Sequence, residues 1–169
     1  MLYPLIFLGW VGQPYNEFMV YYTTQSNILC TVVMIALAVL TFKDLKKGIT
    51  IGRSTHFVKL EFVVSTYILL TCLIYNFLLG NPFTAAYWTS NHYNYIVHLF
   101  GPILFILDFL LFSERGKITK KTPLLILIYP YCYVAFIMIR SFFLEKQFTT
   151  FPKSLVVYPY FFLDRAKLG

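Results

Sequence analysis

The sequence predicts an all-α fold, a polytopic bundle of transmembrane helices. Of its 169 residues, 59% are hydrophobic and only 12% are charged, about half the charged share of a typical soluble domain. The apolar residues are gathered into runs long enough to cross a bilayer, and the basic residues lie in short clusters between them. We therefore expect a single integral membrane domain over residues 1–169.

Five apolar segments follow one another along the chain. The first, Leu2–Val11, is shorter than the about 20 residues of a full span and lacks the basic region and cleavage site of a signal peptide, so we interpret it as an abbreviated first helix. The four clear spans are predicted at Thr24–Phe42, Val58–Leu79, Tyr95–Phe112 and Pro123–Leu144. Within the last span, Pro130 predicts a kink.

The placement of lysine and arginine predicts the orientation. Loops 43–59 and 114–122 hold five and four of these residues, whereas the connections at 12–26 and 80–94 hold none. By the positive-inside rule the two basic loops are cytoplasmic, and the protein is expected in the cell membrane. Because these charges are split among short loops and form no continuous stripe, the pattern argues against a nucleic-acid partner.

Neither a metal nor a cofactor is predicted. All three cysteines fall within apolar runs without zinc or redox spacing: Cys30, Cys72 and Cys132. A haem-binding bundle is expected to carry paired axial histidines, yet His56 and His98 fall on opposite sides of the membrane. We interpret the cysteines as small core residues.

Ionisable side chains within the spans are candidates for function because they are expensive in hydrocarbon. His98 and Asp108 occupy the two ends of one span, roughly 15 Å apart at 1.5 Å per residue, so they are not expected to pair. Asp108 is predicted to make a structural polar contact near Glu61, and Asn94 to share a helix face with His98. We expect the other helices to pack around this span.

Three polar groups are predicted at similar depth, which would allow one outward-facing polar pocket. They are the stretch Thr23–Asn27, His98 and Arg140, with Tyr133 on the same face as Arg140. Two interpretations of His98 stay open, an interhelical hydrogen bond or proton transfer as a general base or acid. Arg140 either holds a lipid carboxylate or acts structurally, by pairing with Asp164 or by reaching the headgroups.

Three stretches of the chain resemble the marks of the Pr-six-Pr family of bacterial integral membrane proteins. They are Tyr21-Tyr22-Thr23-Thr24-Gln25-Ser26-Asn27, the pattern His98…Pro102…Asp108-Phe109, and Tyr158-Pro159-Tyr160-Phe161-Phe162-Leu163-Asp164. That family is similar to the androgen-induced and androgen-dependent TFPI-regulating membrane proteins, six-helix hydrolases of fatty acid esters of hydroxy fatty acids. The resemblance covers almost the whole chain in the same order.

The resemblance implies a threonine nucleophile and a histidine, which falls on His98. The threonine falls on Thr23 by the bacterial mark and on Thr24 by the eukaryotic one, so both remain candidates. Side chains suited to donate to a developing oxyanion are Gln25, Asn27 and Asn94. Membrane lipid is the implied partner and a fatty-acyl ester the implied substrate. Because the relatives have six helices, the chain is expected to be a piece of a longer protein.

A second function stays open beside the hydrolase. The same polar groups suit a non-enzymatic membrane protein or a small-solute transporter, with a polar pocket around His98 and Arg140. A hydrolase predicts covalent labelling by an ester-like probe, whereas a transporter predicts flux of its cargo in proteoliposomes.

Overall fold

A computed structural model describes residues 19–49, 54–90, 92–147 and 156–164. Within these ranges the chain is helical and forms no β-strand, which confirms the all-α prediction. The predicted short helix at Leu2–Val11 lies outside the described residues. The chain divides into two compact units, residues 26–127 and residues 1–25 together with 128–169.

The described residues form helices separated by short turns. The α-helices are α1 Tyr22–Lys46, α2 Val58–Ile74, α3 Ala85–Ser90, α4 His92–Tyr95, α5 Gly101–Phe112, α6 Thr122–Ile126 and α7 Ile128–Gln147. A first π-helical turn, Tyr75–Leu79, extends α2, and a second, Ile96–Phe100, joins α4 to α5. A 3-10 turn covers Phe161–Leu163.

Four helical segments are long and apolar enough to cross a membrane. They are Tyr22–Lys46, Val58–Leu79, Tyr93–Phe112 and Thr122–Lys146, and each matches a predicted span to within a few residues. Large apolar side chains are exposed along them, such as Ile35 and Phe42 in α1 and Leu104 in α5. Exposed apolar surface of this extent is typical of a membrane-contacting face. The chain is therefore a multi-pass helical membrane protein.

The connection at 80–94, predicted as a loop, contains α3 and the start of α4, so that prediction is wrong for these residues. Two side chains of α3 are anchored by hydrogen bonds. The Tyr87 hydroxyl donates to Asn76 Oδ1 at 2.7 Å, and Trp88 Nε1 donates to the carbonyl oxygen of Pro82 at 2.9 Å. These contacts organise a segment whose composition alone favours irregular structure.

A helical interruption at Leu127 separates α6 from α7. Pro130 lacks the N–H that would donate to the carbonyl of Ile126, four residues earlier, and its ring crowds that carbonyl. The helix break at Leu127 therefore lies about one turn before Pro130, the residue from which a kink in the last span was predicted.

Within residues 26–127 the central helix is α2, which packs against α5 and α6. The span that contains α2 is buried over 39% of its apolar window, against 17% for each of the other spans. The expectation that the helices pack around the His98 span is therefore wrong. Polar side chains explain the difference, because the span Val58–Leu79 carries the buried Glu61, Thr71 and Asn76, which need protein partners in hydrocarbon.

The end of α2 near the basic loops is tied to the end of α5 through Glu61, which is 1% exposed. The Ser113 hydroxyl donates to Glu61 Oε2, and the Asp108 side chain lies close to the same carboxyl group. Backbone bonds between Ser54 and the residues flanking Ser113 close the same end.

Ser113→Ala is expected to lower the free energy of unfolding by about 1–3 kcal/mol, because it removes a donor from a buried carboxyl oxygen. Ser65→Ala is the matched control, since Ser65 is also buried but its hydroxyl has no hydrogen-bond partner among the described residues. The control is expected to change stability by less than about 0.5 kcal/mol. Unfolding in mixed micelles titrated with a denaturing detergent measures both, and equal losses would contradict the assignment.

Candidate functional site

His98 lies in the second π-helical turn, directly before α5. In a regular α-helix its carbonyl would accept from the N–H of residue 102, but Pro102 has no N–H. The Gly101 N–H instead donates to the Ile96 carbonyl five residues earlier, which closes the π-helical turn. A side chain at position 101 would place its Cβ 3.0 Å from that same carbonyl oxygen, so glycine suits the turn. π-Helical turns of this kind occur frequently at functional sites.

The His98 carbonyl is satisfied by a side chain from the neighbouring helix. Asn76 Nδ2 donates to it at 2.9 Å and also to the carbonyl of Cys72 at 2.8 Å, while Asn76 Oδ1 accepts from the Tyr87 hydroxyl. Asn76 is 6% exposed, so this amide is a buried link between the two π-helical turns and α3. Burial raises the pKa of Tyr87, with smaller contributions from Tyr75 and Cys72, so its hydroxyl stays protonated and donates.

The His98 ring is held by stacking. It lies parallel to the ring of Tyr75, in the first π-helical turn, with centroids 3.5 Å apart and planes 4° apart. The residue is 9% exposed, and Nδ1 is buried without a hydrogen-bond partner in the part of the chain that the structure describes. Buried polar atoms are rarely left in this state, so an imidazole nitrogen ready to exchange a proton is a candidate for function.

Sequence reasoning identified His98 but missed Tyr75, Asn76 and Tyr87. Asn76 was detectable as an amide within an otherwise apolar span, which is costly unless paired. The spacing of Pro102, four residues after His98, also indicates a carbonyl that needs an outside donor. The stacking of Tyr75 has no comparable signal, because tyrosines occur throughout the chain.

An apolar cavity of about 640 Å³ begins beside the second π-helical turn and lies along α1 and α5. Its lining includes Asn27, Cys30, Met34, Ile68, Gly101 and Asp108. Asn27 Nδ2 donates to the Val97 carbonyl at 3.2 Å, which places this amide next to the turn that carries His98. A second cavity of about 470 Å³ lies towards the basic loops, where Asp44 pairs with His56 at 2.6 Å.

Three of the predicted site residues lie at the start of α1, in the unit formed by residues 1–25 and 128–169. Thr23 is half-buried and Thr24 is buried. Gln25 Nε2 donates to the Met19 carbonyl at 2.8 Å, and Gln25 Oε1 accepts from the Tyr129 hydroxyl at 3.0 Å. The Gln25 amide is thus engaged at both ends, which favours a structural role for it over oxyanion binding.

The same unit holds Tyr133 and Arg140 on α7, and both are buried. The Tyr133 hydroxyl donates to the Val20 carbonyl at 2.9 Å. Arg140 Nη1 donates to the carbonyls of Val156 and Val157 at 2.7 and 3.1 Å. The guanidinium therefore holds a backbone segment, and no observation favours the transporter alternative, which needs Arg140 on a polar path.

The remaining predicted residues occupy other places. Asn94 is half-buried in α4, Asp108 lines both cavities and contacts Glu61, and Asp164 is half-buried just after the 3-10 turn. Residues 26–127 thus bring Asn27 close to the backbone beside His98, with Asp108 further along α5. Across the described ranges, no group of three or more His, Cys, Asp or Glu side chains is arranged to hold a metal ion.

The chain matches no family model, no curated protein and no solved structure. The resemblance to the Pr-six-Pr family therefore stays a prediction from the three sequence stretches.

Asn76→Leu is expected to lower the free energy of unfolding by about 1–3 kcal/mol, because the His98 carbonyl and the Tyr87 hydroxyl lose their partner. In a Pro102→Ala background the new N–H at position 102 can satisfy the His98 carbonyl, so the loss is expected to be smaller by about 1 kcal/mol. The four proteins of this double-mutant cycle are compared by unfolding in mixed micelles. Strictly additive losses would show that Asn76 and Pro102 act on different groups.

Proposed function

We propose that this multi-pass membrane protein hydrolyses lipid esters within the membrane, with His98 as the general base. The observation that carries the proposal is the buried imidazole, stacked on Tyr75, whose Nδ1 no described residue hydrogen-bonds. Imidazole is the side chain best suited to proton transfer near neutral pH. The proposal includes the orientation expected from the basic loops, with His98 towards the outer face of the cell membrane.

The resemblance assigns the nucleophile to Thr23 or Thr24. A threonine hydroxyl becomes an effective nucleophile when a base removes its proton. Its oxygen then attacks the acyl carbonyl to form an acyl-threonine ester, and the alcohol leaves with the proton that the imidazolium returns. Water activated by the same base hydrolyses the acyl-threonine ester and releases the fatty acid.

The apolar cavity supports an acyl chain as part of the substrate. It extends along α5 from Gly101, three residues after His98, to Phe112, a distance of roughly 16 Å at 1.5 Å per residue. Its walls are mainly aliphatic and aromatic side chains, the lining that binds apolar ligand parts. It is open on one side, where Ile35, Leu104 and Leu111 are exposed. A chain in this cavity would begin beside the π-helical turn of His98 and extend towards the basic loops.

His98→Ala is expected to abolish covalent labelling by a fluorophosphonate probe, because the nucleophile then lacks the base that removes its proton. His56→Ala is the matched control, since His56 pairs with Asp44 at 2.6 Å near the basic loops and is expected to keep the wild-type rate. Labelling is measured by in-gel fluorescence on detergent-solubilised protein of equal monodispersity. Wild-type labelling of the His98→Ala protein would exclude His98 as the base.

A further inference from the structure

Residues Ser54–Phe57 lie between the first and second spans, and we call them the strap. The first three of them line the second cavity, the one of about 470 Å³. The backbone of Ser54 is tied to the end of α5 by two hydrogen bonds. Its N–H donates to the Phe112 carbonyl at 2.6 Å, and its carbonyl accepts from the Glu114 N–H at 2.9 Å. The strap therefore forms part of the cavity wall and is attached to α5 through its backbone.

The side chain of His56 ties the strap to α1. Its Nε2 lies 2.6 Å from Asp44 Oδ2, a short contact of the kind expected for a charge-assisted hydrogen bond. The two side chains are 31% and 30% exposed, so water and protons reach the pair. This tie, unlike the backbone bonds of Ser54, has a strength that depends on the charge of a side chain.

The strap ends in a strained residue. Phe57 has φ 52° and ψ 22°, the left-handed region that side chains with a Cβ seldom adopt. Among the described residues other than glycine, it alone has a positive φ. Its carbonyl accepts from the Glu61 N–H at 2.9 Å, so the start of α2 holds it in place. Strain of this kind recurs at switch segments, and it makes the position of the strap dependent on its ties.

The second cavity surrounds the His56 side chain with carboxyl groups from three helices. Asp44 of α1, Glu61 of α2 and Asp108 of α5 line it, whereas its described lining includes no lysine or arginine. A protonated imidazole is therefore the cation of this cavity wall. A neutral imidazole leaves the contact with Asp44 without its ionic part. Because imidazole changes charge between about pH 5 and 8, pH in this range determines how firmly the strap is held.

We propose that the strap is a proton-controlled lid, which closes the second cavity while His56 is protonated and releases it when the imidazole loses its charge. Protonation creates the positive partner of Asp44, so the closed strap is favoured at the acidic end of the range and opens as the pH rises. Opening gives aqueous solutes access to the cavity from the side of the basic loops. The inference goes beyond the proposed function, because it concerns the opposite end of α5 from His98 and requires no hydrolysis.

Hydrogen exchange of the full chain in detergent micelles, measured by mass spectrometry with residue-level fragmentation, reports the state of the strap. The amides of Ser54 and Glu114 are the donors of its two backbone bonds to the end of α5. After correction for intrinsic exchange, their protection is expected to be about 3- to 10-fold higher at about pH 6 than at about pH 8. His56→Gln keeps a neutral donor, so its protection is expected to be low and equal at both pH values.

Access to the cavity is measured with Leu37→Cys, since Leu37 lines the cavity and is 7% exposed. A small neutral thiosulfonate reagent modifies the new thiol, and peptide mass spectrometry follows that position alone. Adding His56→Gln is expected to speed the modification about 3- to 10-fold at about pH 6 and to leave it unchanged at about pH 8. Comparison at equal pH cancels the titration of the thiol. Lys47→Gln is the matched control, because it removes an exposed charge of the same loop, and no change is expected.

Equal protection of the two amides at both pH values in the wild-type protein would overturn the inference. A pH dependence that survives His56→Gln would also overturn it, and would assign the titration to Glu61 or Asp108. Equal modification of the Leu37→Cys protein with and without His56→Gln at about pH 6 would show that the strap does not close the cavity. If Leu37→Cys does not fold, the exchange measurement decides by itself. Neither measurement uses the fluorophosphonate probe, so failure of this inference is distinguishable from failure of the hydrolase proposal.

Discussion

The missing N–H of Pro102 is the constraint on which the described site depends. It removes the regular α-helical partner of the His98 carbonyl at a point where hydrocarbon offers no water as a substitute. The helix responds with a π-helical turn closed at Gly101, and Asn76 supplies the donor that the proline cannot. Asn76 is itself fixed by the Tyr87 hydroxyl. The hydrogen bonds that compensate for the missing N–H therefore connect two spans and the short helix α3 beside the imidazole.

The need of buried polar groups for a hydrogen-bond partner also determines the contacts of other polar side chains in residues 26–127. Ser26 and Thr71 share a buried hydroxyl contact at 2.8 Å, the Tyr67 hydroxyl donates to the Leu125 carbonyl at 3.0 Å, and Glu61 accepts from Ser113. Each bond joins elements distant in sequence, since a polar atom facing lipid would cost several kcal/mol. Among the described residues, the Nδ1 of His98 has no hydrogen-bond partner, and neither does the buried hydroxyl of Ser65. The imidazole differs from that hydroxyl in its ability to accept a proton near neutral pH.

Hydropathy was sufficient to locate the four spans, because a membrane-spanning helix requires only about 20 consecutive apolar residues in its own stretch of sequence. The helix break near Pro130 was also predictable, since a proline leaves the carbonyl four residues before it without its helical hydrogen bond. The helix at Ala85–Ser90 was not predictable from the sequence, because its stability depends on hydrogen bonds from Tyr87 and Trp88 to residues outside the helix.

The candidate site was predictable only in part, for the same reason. His98 was conspicuous as an ionisable group in a span, whereas the stacking of Tyr75 depends on how two helices meet. The role of Arg140 was open between lipid binding and structure, and its bonds to Val156 and Val157 favour structure. The choice between these two roles of Arg140 depends on the fold of residues 156–164, which neither hydrophobic periodicity nor charge predicts.

Peptide mass spectrometry of the fluorophosphonate adduct tests most directly the claim that a proton-accepting His98 activates a threonine of α1. The full-length protein is labelled, digested and mapped beside its His98→Ala variant. The account predicts one adduct, on the hydroxyl of Thr23 or Thr24, which is missing from the His98→Ala variant. An adduct on a residue outside Thr23–Thr24, or an equal yield of adduct in the His98→Ala protein, would contradict it.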